Sequence, residues 1–216
     1  LKLNPGDPVA HHELATVLMD LGRHSDAITH LRGVLKTEPD NVDAMVDLGI
    51  CYTAKGFYQE ADKSLSRAET LAVAESCTAG LVMGQLSRVP GARAWFFGGV
   101  AAYDNRAKEL WLDVPHALLE RHGAVSEEGA RAMASGVRAK AKTAWGLAVT
   151  GVAGPTGGTA VKPVGTVFLA AAGPGDAAHV ERHLFGGDRE RVRQFSVGAA
   201  LDLLRRSLLH SAPSSP

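Results

Sequence analysis

The feature that most constrains this chain is an internal repeat with a spacing of 34 residues, which covers its first 70 residues. The matching pairs are Leu1 and Leu35, Pro5 and Pro39, Leu14 and Leu48, Gly22 and Gly56, Ala27 and Ala61, and Leu31 and Leu65. A fixed period of this length is typical of proteins that stack pairs of antiparallel helices. The repeated glycine fits the turn between the two helices of each unit, so residues 1–70 are predicted to form an all-α helical hairpin segment.

The second unit of this segment resembles the tetratricopeptide repeat. The residues that follow the pattern are Leu48, Gly49, Tyr52, Gly56, Tyr58, Ala61 and Ala68. The resemblance covers about two units, and residues 1–6 fit the end of an earlier unit, so the array is expected to extend upstream. Stacked repeats need about three units for independent stability. We expect such repeats to recruit a protein partner, whose identity the sequence does not give.

From Leu71 onward the pattern changes to short apolar runs that alternate with amphipathic segments. Strands are predicted at 71–74, 95–103, 147–150, 165–171 and 179–185, and helices at 76–88, 104–110, 126–141 and 188–209. Strands that alternate with helices indicate a layered α/β domain, predicted over residues 71–210. The last two strands are joined across a short Gly-Pro-Gly-Asp loop, so we expect a hairpin that makes the sheet mixed. Residues 211–216 are polar and are predicted to be a disordered tail.

Composition excludes several classes of function. The 216 residues include 23 basic and 23 acidic side chains, so no net charge draws the chain to nucleic acid or to anionic lipid. No apolar run reaches the roughly 20 residues that span a bilayer. Cys51 and Cys77 are far apart, which fits a reducing, cytoplasmic compartment. No metal-ligand spacing occurs, so neither a metal nor another cofactor is predicted.

Residues 74–80 read Ala-Glu-Ser-Cys-Thr-Ala-Gly at a predicted strand-to-helix turn. The start of a helix presents free N–H groups that suit an oxyanion, and a serine there is placed to attack a carbonyl. The alternative is that Ser76 or Thr78 simply caps the helix, which is the commoner role of such residues.

Two further segments carry candidate site residues. Tyr103 ends a predicted strand and Lys108 follows about one helical turn later. A buried lysine that stays neutral can activate a serine, whereas a lone lysine is more often a solvated surface charge. The glycine-rich segment 150–158 follows another strand and allows close backbone approach to a phosphate, but an ordinary loop is an equal alternative.

Taken together and in order, these segments resemble the C-terminal domain of the CinA family, whose stand-alone form is the bacterial nicotinamide-mononucleotide amidohydrolase. The matching segments are AESCTAG, VPGARAWFFGGVAAYDNRAK, HGAVSEEGARAMA, LAVTGVAGPTGG, KPVGTV and GDRERVR. They occur in the family's order, and the resemblance extends over essentially all of residues 71–209. In this sequence, the repeat segment stands where the full-length family has its N-terminal domain.

The resemblance implies a three-layer α/β/α fold and hydrolysis of the carboxamide of nicotinamide mononucleotide to nicotinic acid mononucleotide and ammonia. It implies that Ser76 is the nucleophile, that Lys108 is its base and that Tyr103 assists in positioning or proton transfer. The implied oxyanion donors are the N–H groups of Cys77, Thr78, Ala79 and Gly80. The implied contacts to the pyridine mononucleotide are Thr150, Gly151, Val152, Ala153, Gly154 and Arg189. Arginine suits that role because its planar fork matches phosphate oxygens.

Two departures from the family pattern bear on these roles. Ala79 stands where the family has a second glycine, and its methyl group is expected to fit on a helix. Asp104 stands where the family usually has serine or threonine. A carboxylate near Lys108 favours the ammonium form, which would oppose its use as a base unless Asp104 points away as a helix cap.

A second hypothesis assigns the chain to a different class. The repeats would recruit a partner, and the CinA-like domain would be a weakly active nucleotide sensor. The oligomeric state is open, with a homo-oligomer among the states that the sequence allows.

The junction between the two segments carries a structural prediction. The segment 59–68 runs into the first strand without a glycine or proline linker, so we expect it to pack on the sheet as a shared helix. Deleting residues 1–70 should then destabilise the hydrolase domain more than deleting residues 1–40.

Overall fold

The computed structural model describes residues 7–38, 70–89, 91–175 and 178–211, together with residues 41, 43, 44, 47, 48, 50, 51 and 54. The chain divides into two compact units, Leu1–Gln59 and Glu60–Pro216. The predicted shared helix at 59–68, the repeat residues Pro39, Gly56 and Tyr58, and the tail 212–216 lie outside the described residues.

The first unit contains a helical hairpin. Helix α1 spans Pro8–Asp20 and helix α2 spans His24–Thr37. The Asp7 carboxylate caps α1 by accepting hydrogen bonds from the first-turn N–H groups, and Gly22 makes the turn between the helices with a φ of +71°. Such a φ suits glycine because it has no Cβ. The core between the helices is built from Ala15, Leu18, Ala27, Ile28, Leu31 and Val34, joined by Ala44 and Cys51. The predicted helical hairpin and its glycine turn are confirmed.

The second unit is built on a five-stranded sheet. Its strands are β1 (Leu71–Glu75), β2 (Phe96–Ala101), β3 (Trp145–Gly151), β4 (Thr166–Ala172) and β5 (His179–Leu184). Their order across the sheet is β2-β1-β3-β4-β5. Strand β1 pairs in parallel with both β2 and β3, whereas β3 with β4 and β4 with β5 are antiparallel. The predicted hairpin and mixed sheet are therefore confirmed.

Helices cover both faces of this sheet. They are α3 (Leu81–Ser87), α4 (Asn105–Leu112), α5 (His116–His122), α6 (Glu127–Ala141) and α7 (Arg189–Ser211), with a 3-10 turn at Ala92–Ala94. On one face Ala72 and Ala74 pack against the apolar side of α6, with α4 and α5 in the same layer. Because side chains alternate along a strand, Glu75 points to the opposite face, where it meets α3. Helix α7 contacts α3, β3 and β4, which completes three α/β/α layers.

Small residues let α6 lie close against the sheet. A Cβ added at Gly146 on β3 would meet the carbonyl oxygen of Ala134 on α6 at 2.1 Å. The strand residues that face this helix include Ala72, Ala74, Ala148 and Ala170, all fully buried. The close layer is one reason that the ends of β1 and β3 are held rigidly beside each other.

One predicted helix boundary is wrong. Helix α3 begins at Leu81, and residues 77–80 form a turn that precedes it. The remaining predicted helices begin within a residue of their expected starts, with Asp104 and Ser126 as side-chain caps of α4 and α6. No helix among the described residues has the length and apolar character needed to cross a membrane.

Candidate active site

A cavity of about 340 Å³ opens beyond the carboxyl ends of the three parallel strands. The residues that line it are Ser76, Cys77, Tyr103, Asn105, Lys108, Ala124, Val125, Thr150, Gly151, Val152, Ala153, Gly154, Thr156, Gly157 and Arg189. The space at the carboxyl ends of strands is where ligands bind in open α/β sheets, and this volume is within the range of small-molecule sites. The cavity therefore brings together the residues predicted from three separate segments, apart from Thr78, Ala79 and Gly80.

Ser76 follows β1 directly, in the centre of this strand end. Its N–H donates to the carbonyl oxygen of Val149 on β3 at 2.9 Å, and the residue is 9% exposed. The alternative in which Ser76 or Thr78 caps α3 is wrong, because the cap residue of α3 is Gly80 with a left-handed backbone and neither hydroxyl caps the helix. Ser76 therefore lines the cavity, and its hydroxyl does not cap the helix.

The group that caps α3 is the carboxylate of Glu75. This side chain is fully buried and accepts hydrogen bonds from the N–H groups of Gly80 at 2.9 Å, Val82 at 3.2 Å and Met83 at 2.8 Å. A negative charge at this end also complements the helix dipole. This role was not predicted from the sequence, although a charged residue at the end of a buried apolar strand is a signal for it.

The predicted oxyanion donors are only partly available. The N–H of Ala79 donates to the carbonyl oxygen of Ser76 at 3.2 Å, and the N–H of Gly80 donates to Glu75. Thr78 is fully buried away from the cavity. Burial raises the pKa of the Cys77 thiol to about 11, against smaller opposing contributions from its own N–H, Arg193 and the N–H of Thr78. Of the four predicted donor residues, only Cys77 lines the cavity.

Ala79 is not on a helix, contrary to the expectation. It lies in the turn with a φ of +50°, in the left-handed region that favours glycine. For a residue with a Cβ this conformation costs about 1–2 kcal/mol. The departure from the family pattern at this position therefore adds local strain instead of fitting a helical site.

Lys108 is buried, which excludes the alternative of a solvated surface charge. It is 1% exposed, and its Nζ donates to the backbone carbonyl oxygen of Tyr103 at 2.9 Å. Burial lowers the pKa of the Lys108 ammonium, while the charge of Asp104 opposes that shift. Asp104 does cap α4, since its carboxylate accepts from the N–H of Arg106 at 2.8 Å. Its cap role and its electrostatic effect on Lys108 therefore coexist.

The glycine-rich segment forms the opposite wall. Thr150 is fully buried, and its hydroxyl donates to the carbonyl oxygen of Ala124 at 3.0 Å. Just beyond this segment, the Nζ of Lys162 donates to the carbonyl oxygen of His122 at 2.7 Å. These two hydrogen bonds anchor the chain before and after the loop that faces the cavity.

Arg189, the first residue of α7, joins the two walls. Its Nη1 donates to the carbonyl oxygen of Gly154 at 2.7 Å, and its Nη2 donates to the hydroxyl of Tyr103 at 2.9 Å. Tyr103 is 56% exposed. Arg189 therefore reaches the cavity as predicted, with both terminal nitrogens already bound to protein groups.

Several lining residues were not assigned to the site from the sequence: Asn105, Ala124, Val125, Thr156 and Gly157. Asn105 and Thr156 lie within the motif segments and supply polar groups, so their proximity to assigned residues was the available signal. Among the residues that the structure describes, no group of three His, Cys, Asp or Glu side chains is placed to hold a metal ion.

Comparison with known sequences finds a family match for each of the two parts of the chain. The CinA C-terminal domain family model matches residues 58–208, and a tetratricopeptide repeat model matches residues 18–71. A CinA-like protein of Anaeromyxobacter sp. (strain Fw109-5) is 54% identical over 143 residues, 66% of this chain and 35% of that protein. A CinA-like protein of Myxococcus xanthus (strain DK1622) is 51% identical over 147 residues, 68% of this chain and 35% of that protein. The chain thus spans about a third of the length of these curated relatives.

Solved structures agree with the sequence comparison. The competence damage-inducible protein A from Klebsiella pneumoniae subsp. pneumoniae MGH 78578 has a TM-score of 0.69 and 34% identity, covering 74% of this chain and 98% of that one. The competence/damage inducible protein CihA from Agrobacterium tumefaciens has a TM-score of 0.69 and 33% identity, covering 73% and 95%. This chain, which carries a tetratricopeptide-type segment ahead of its α/β domain, belongs to the CinA family through its C-terminal domain.

Proposed function

We propose that the α/β unit hydrolyses the carboxamide of nicotinamide mononucleotide to nicotinic acid mononucleotide and ammonia. The observation that supports this most is that Ser76 and a buried Lys108, whose pKa is lowered by burial, line the same cavity. A serine and an amine that loses its proton easily are the pair that acyl transfer requires. The choice of substrate comes from the family resemblance, because the stand-alone form of the CinA C-terminal domain acts on this nucleotide.

The reaction divides into two acyl transfers. The Ser76 oxygen attacks the carboxamide carbon while its proton passes to the neutral Lys108 amine, and the C=O electron pair moves onto the oxygen. Collapse of this intermediate breaks the C–N bond, and the leaving nitrogen takes the proton from Lys108 and departs as ammonia. A water molecule then attacks the acyl carbon and gives a proton to Lys108. The bond between the acyl carbon and the Ser76 oxygen breaks, the serine oxygen takes the proton from Lys108, and the acid is released with Ser76 and the neutral amine restored.

The test is release of ammonia from nicotinamide mononucleotide by the purified chain and by its Ser76→Ala variant. Ser76→Ala should lower the rate to background, and because Ser76 does not cap α3, its thermal stability should stay close to that of the parent. The matched control is Ser135→Ala, an exposed serine on α6 that does not line the cavity. Near-normal turnover in Ser76→Ala would exclude the covalent mechanism.

A second candidate function rests on Asp104. Its charge favours the protonated form of Lys108, which is the form that cannot act as a base. In this alternative the domain binds the nucleotide as a sensor, and the tetratricopeptide-type segment passes the signal to a protein partner. Calorimetric binding of nicotinamide mononucleotide without any ammonia release by the parent chain would favour the sensor over the enzyme.

A further inference from the structure

The turn at 77–80 does not supply a full set of hydrogen-bond donors for an oxyanion. Attack on a carboxamide places negative charge on its oxygen, and enzymes meet that charge with hydrogen-bond donors fixed in advance. In this turn the N–H of Ala79 donates to Ser76 and the N–H of Gly80 donates to Glu75. Of the other two residues, Thr78 is fully buried away from the cavity, so only Cys77 lines it. The turn thus supplies at most the N–H of Cys77, and we look for a second donor on another part of the cavity wall.

Tyr103 has a free donor of the right kind. A guanidinium group only donates hydrogen bonds, so in the contact with Arg189 the phenol oxygen is the acceptor. The phenol proton then remains for a second partner. Tyr103 lines the same cavity as Ser76, and its 56% exposure leaves the hydroxyl accessible to a bound substrate.

Arg189 determines how that hydroxyl is held. Its guanidinium is fixed at two points, the Gly154 carbonyl oxygen at 2.7 Å and the Tyr103 hydroxyl at 2.9 Å. A planar group held at two points has a set direction, which pre-organises the tyrosine. These two contacts use one N–H on each terminal nitrogen and fix the plane of the guanidinium against the cavity wall.

We propose that Tyr103, held in place by Arg189, donates the hydrogen bond that stabilises the oxyanion formed when Ser76 attacks. Arg189 is then a positioning residue for Tyr103, a role distinct from the nucleotide contact that the resemblance implies. The Tyr103 proton is shared in a hydrogen bond and is not transferred, while the serine proton goes to Lys108. This inference rests on the proposed acyl-transfer function of the site.

The experiment compares two substrates, nicotinamide mononucleotide and p-nitrophenyl acetate. Both form an oxyanion on acyl transfer, but the ester carries no phosphate. The variants are Tyr103→Phe, Arg189→Gln, Arg189→Lys and the double variant Tyr103→Phe/Arg189→Gln. Arg191→Gln is the control, since it removes the same charge from an exposed position on α7 that does not line the cavity. Ester hydrolysis by Ser76→Ala gives the background to subtract.

We expect Tyr103→Phe to lower kcat about 100-fold on both substrates with little change in KM, the size of effect that loss of one oxyanion donor produces. Arg189→Gln should lower kcat on both substrates, and the double variant should be no slower than Tyr103→Phe alone, because Arg189 acts through the tyrosine. Arg189→Lys should rescue poorly, since an ammonium cannot reproduce the planar two-point contact.

Three results would overturn the inference: an Arg189→Gln defect confined to the KM for the nucleotide and rescued by lysine, multiplicative losses in the double variant, or normal turnover by Tyr103→Phe. If the parent chain turns over the ester through Ser76 but not the nucleotide, only the proposed substrate fails and the inference is still decided by the ester. If the parent turns over neither compound, the inference and the proposed function fail together.

Discussion

Replacing Glu75 by glutamine tests how the turn that carries Ser76 is held. One carboxylate oxygen accepts from Met83, and the other accepts from Gly80 and Val82. Glutamine has the same shape but a single acceptor oxygen, so its NH₂ group must face at least one N–H. The arrangement that keeps most bonds places the oxygen near Gly80 and Val82 and leaves the N–H of Met83 unsatisfied.

The magnitude follows from these three bonds. A donor left unsatisfied in a buried place costs about 1–3 kcal/mol, and each of the two remaining bonds loses about 1 kcal/mol when its acceptor is no longer charged. The total is roughly 3–5 kcal/mol, before any loss of the favourable interaction between the carboxylate and the helix dipole. Since small domains are stable by about 5–15 kcal/mol, we expect the variant to fold with a much lower denaturation midpoint.

Urea denaturation followed by tryptophan fluorescence measures this effect in the α/β unit, because all three tryptophans, Trp95, Trp111 and Trp145, lie there. The control is Glu127→Gln, an exposed glutamate in the first turn of α6 that pairs with Arg131 and should lose at most about 1 kcal/mol. If Glu75→Gln lost no more stability than Glu127→Gln, the buried carboxylate would not be the cap that holds this turn.

Three further predictions concern the same site. Asp104→Ser keeps a capping side chain but removes the charge that favours the Lys108 ammonium, so the pKa of Lys108 should fall further. The rise of activity with pH should then move to lower pH, and an unchanged pH–rate profile would contradict this. Ala79→Gly should raise the free energy of unfolding by roughly 0.5–1 kcal/mol, since relief of the left-handed backbone exceeds the added entropy of the unfolded glycine, and urea denaturation measures it. Cys77, with a thiol pKa of about 11, should resist iodoacetamide at pH 8 in the folded chain and react once the chain is unfolded, as mass spectrometry can show.

The sequence predicted the elements whose signals are local. Apolar runs identified β1 and β3, and the capping residues Asp104 and Ser126 identified the starts of α4 and α6. The start of α3 was misplaced because its cap comes from Glu75, five to eight residues before the N–H groups that it accepts from. Capping by a residue outside the usual position has no local sequence pattern.

The site was predicted as a set of residues, but its internal contacts were not. Ser76, Tyr103 and Lys108 were selected by motif, and the cavity contains all three. The hydrogen bond between Arg189 and Tyr103 joins residues 86 positions apart, and the burial of Lys108 depends on how α4 packs. Both are consequences of tertiary structure, which a spacing pattern in one sequence does not encode.

The distribution of the cavity residues along the chain has a consequence for folding. Ser76, the proposed nucleophile, follows the first strand of the α/β unit, while Arg189 begins the last helix, so almost the whole domain must be in place before the two can face the same space. Contacts between distant segments carry a large loop-closure entropy and form late. No single folded fragment therefore contains all of the cavity residues. Recovery of the proposed turnover after dilution from denaturant should follow completion of the entire sheet and not the formation of any single motif.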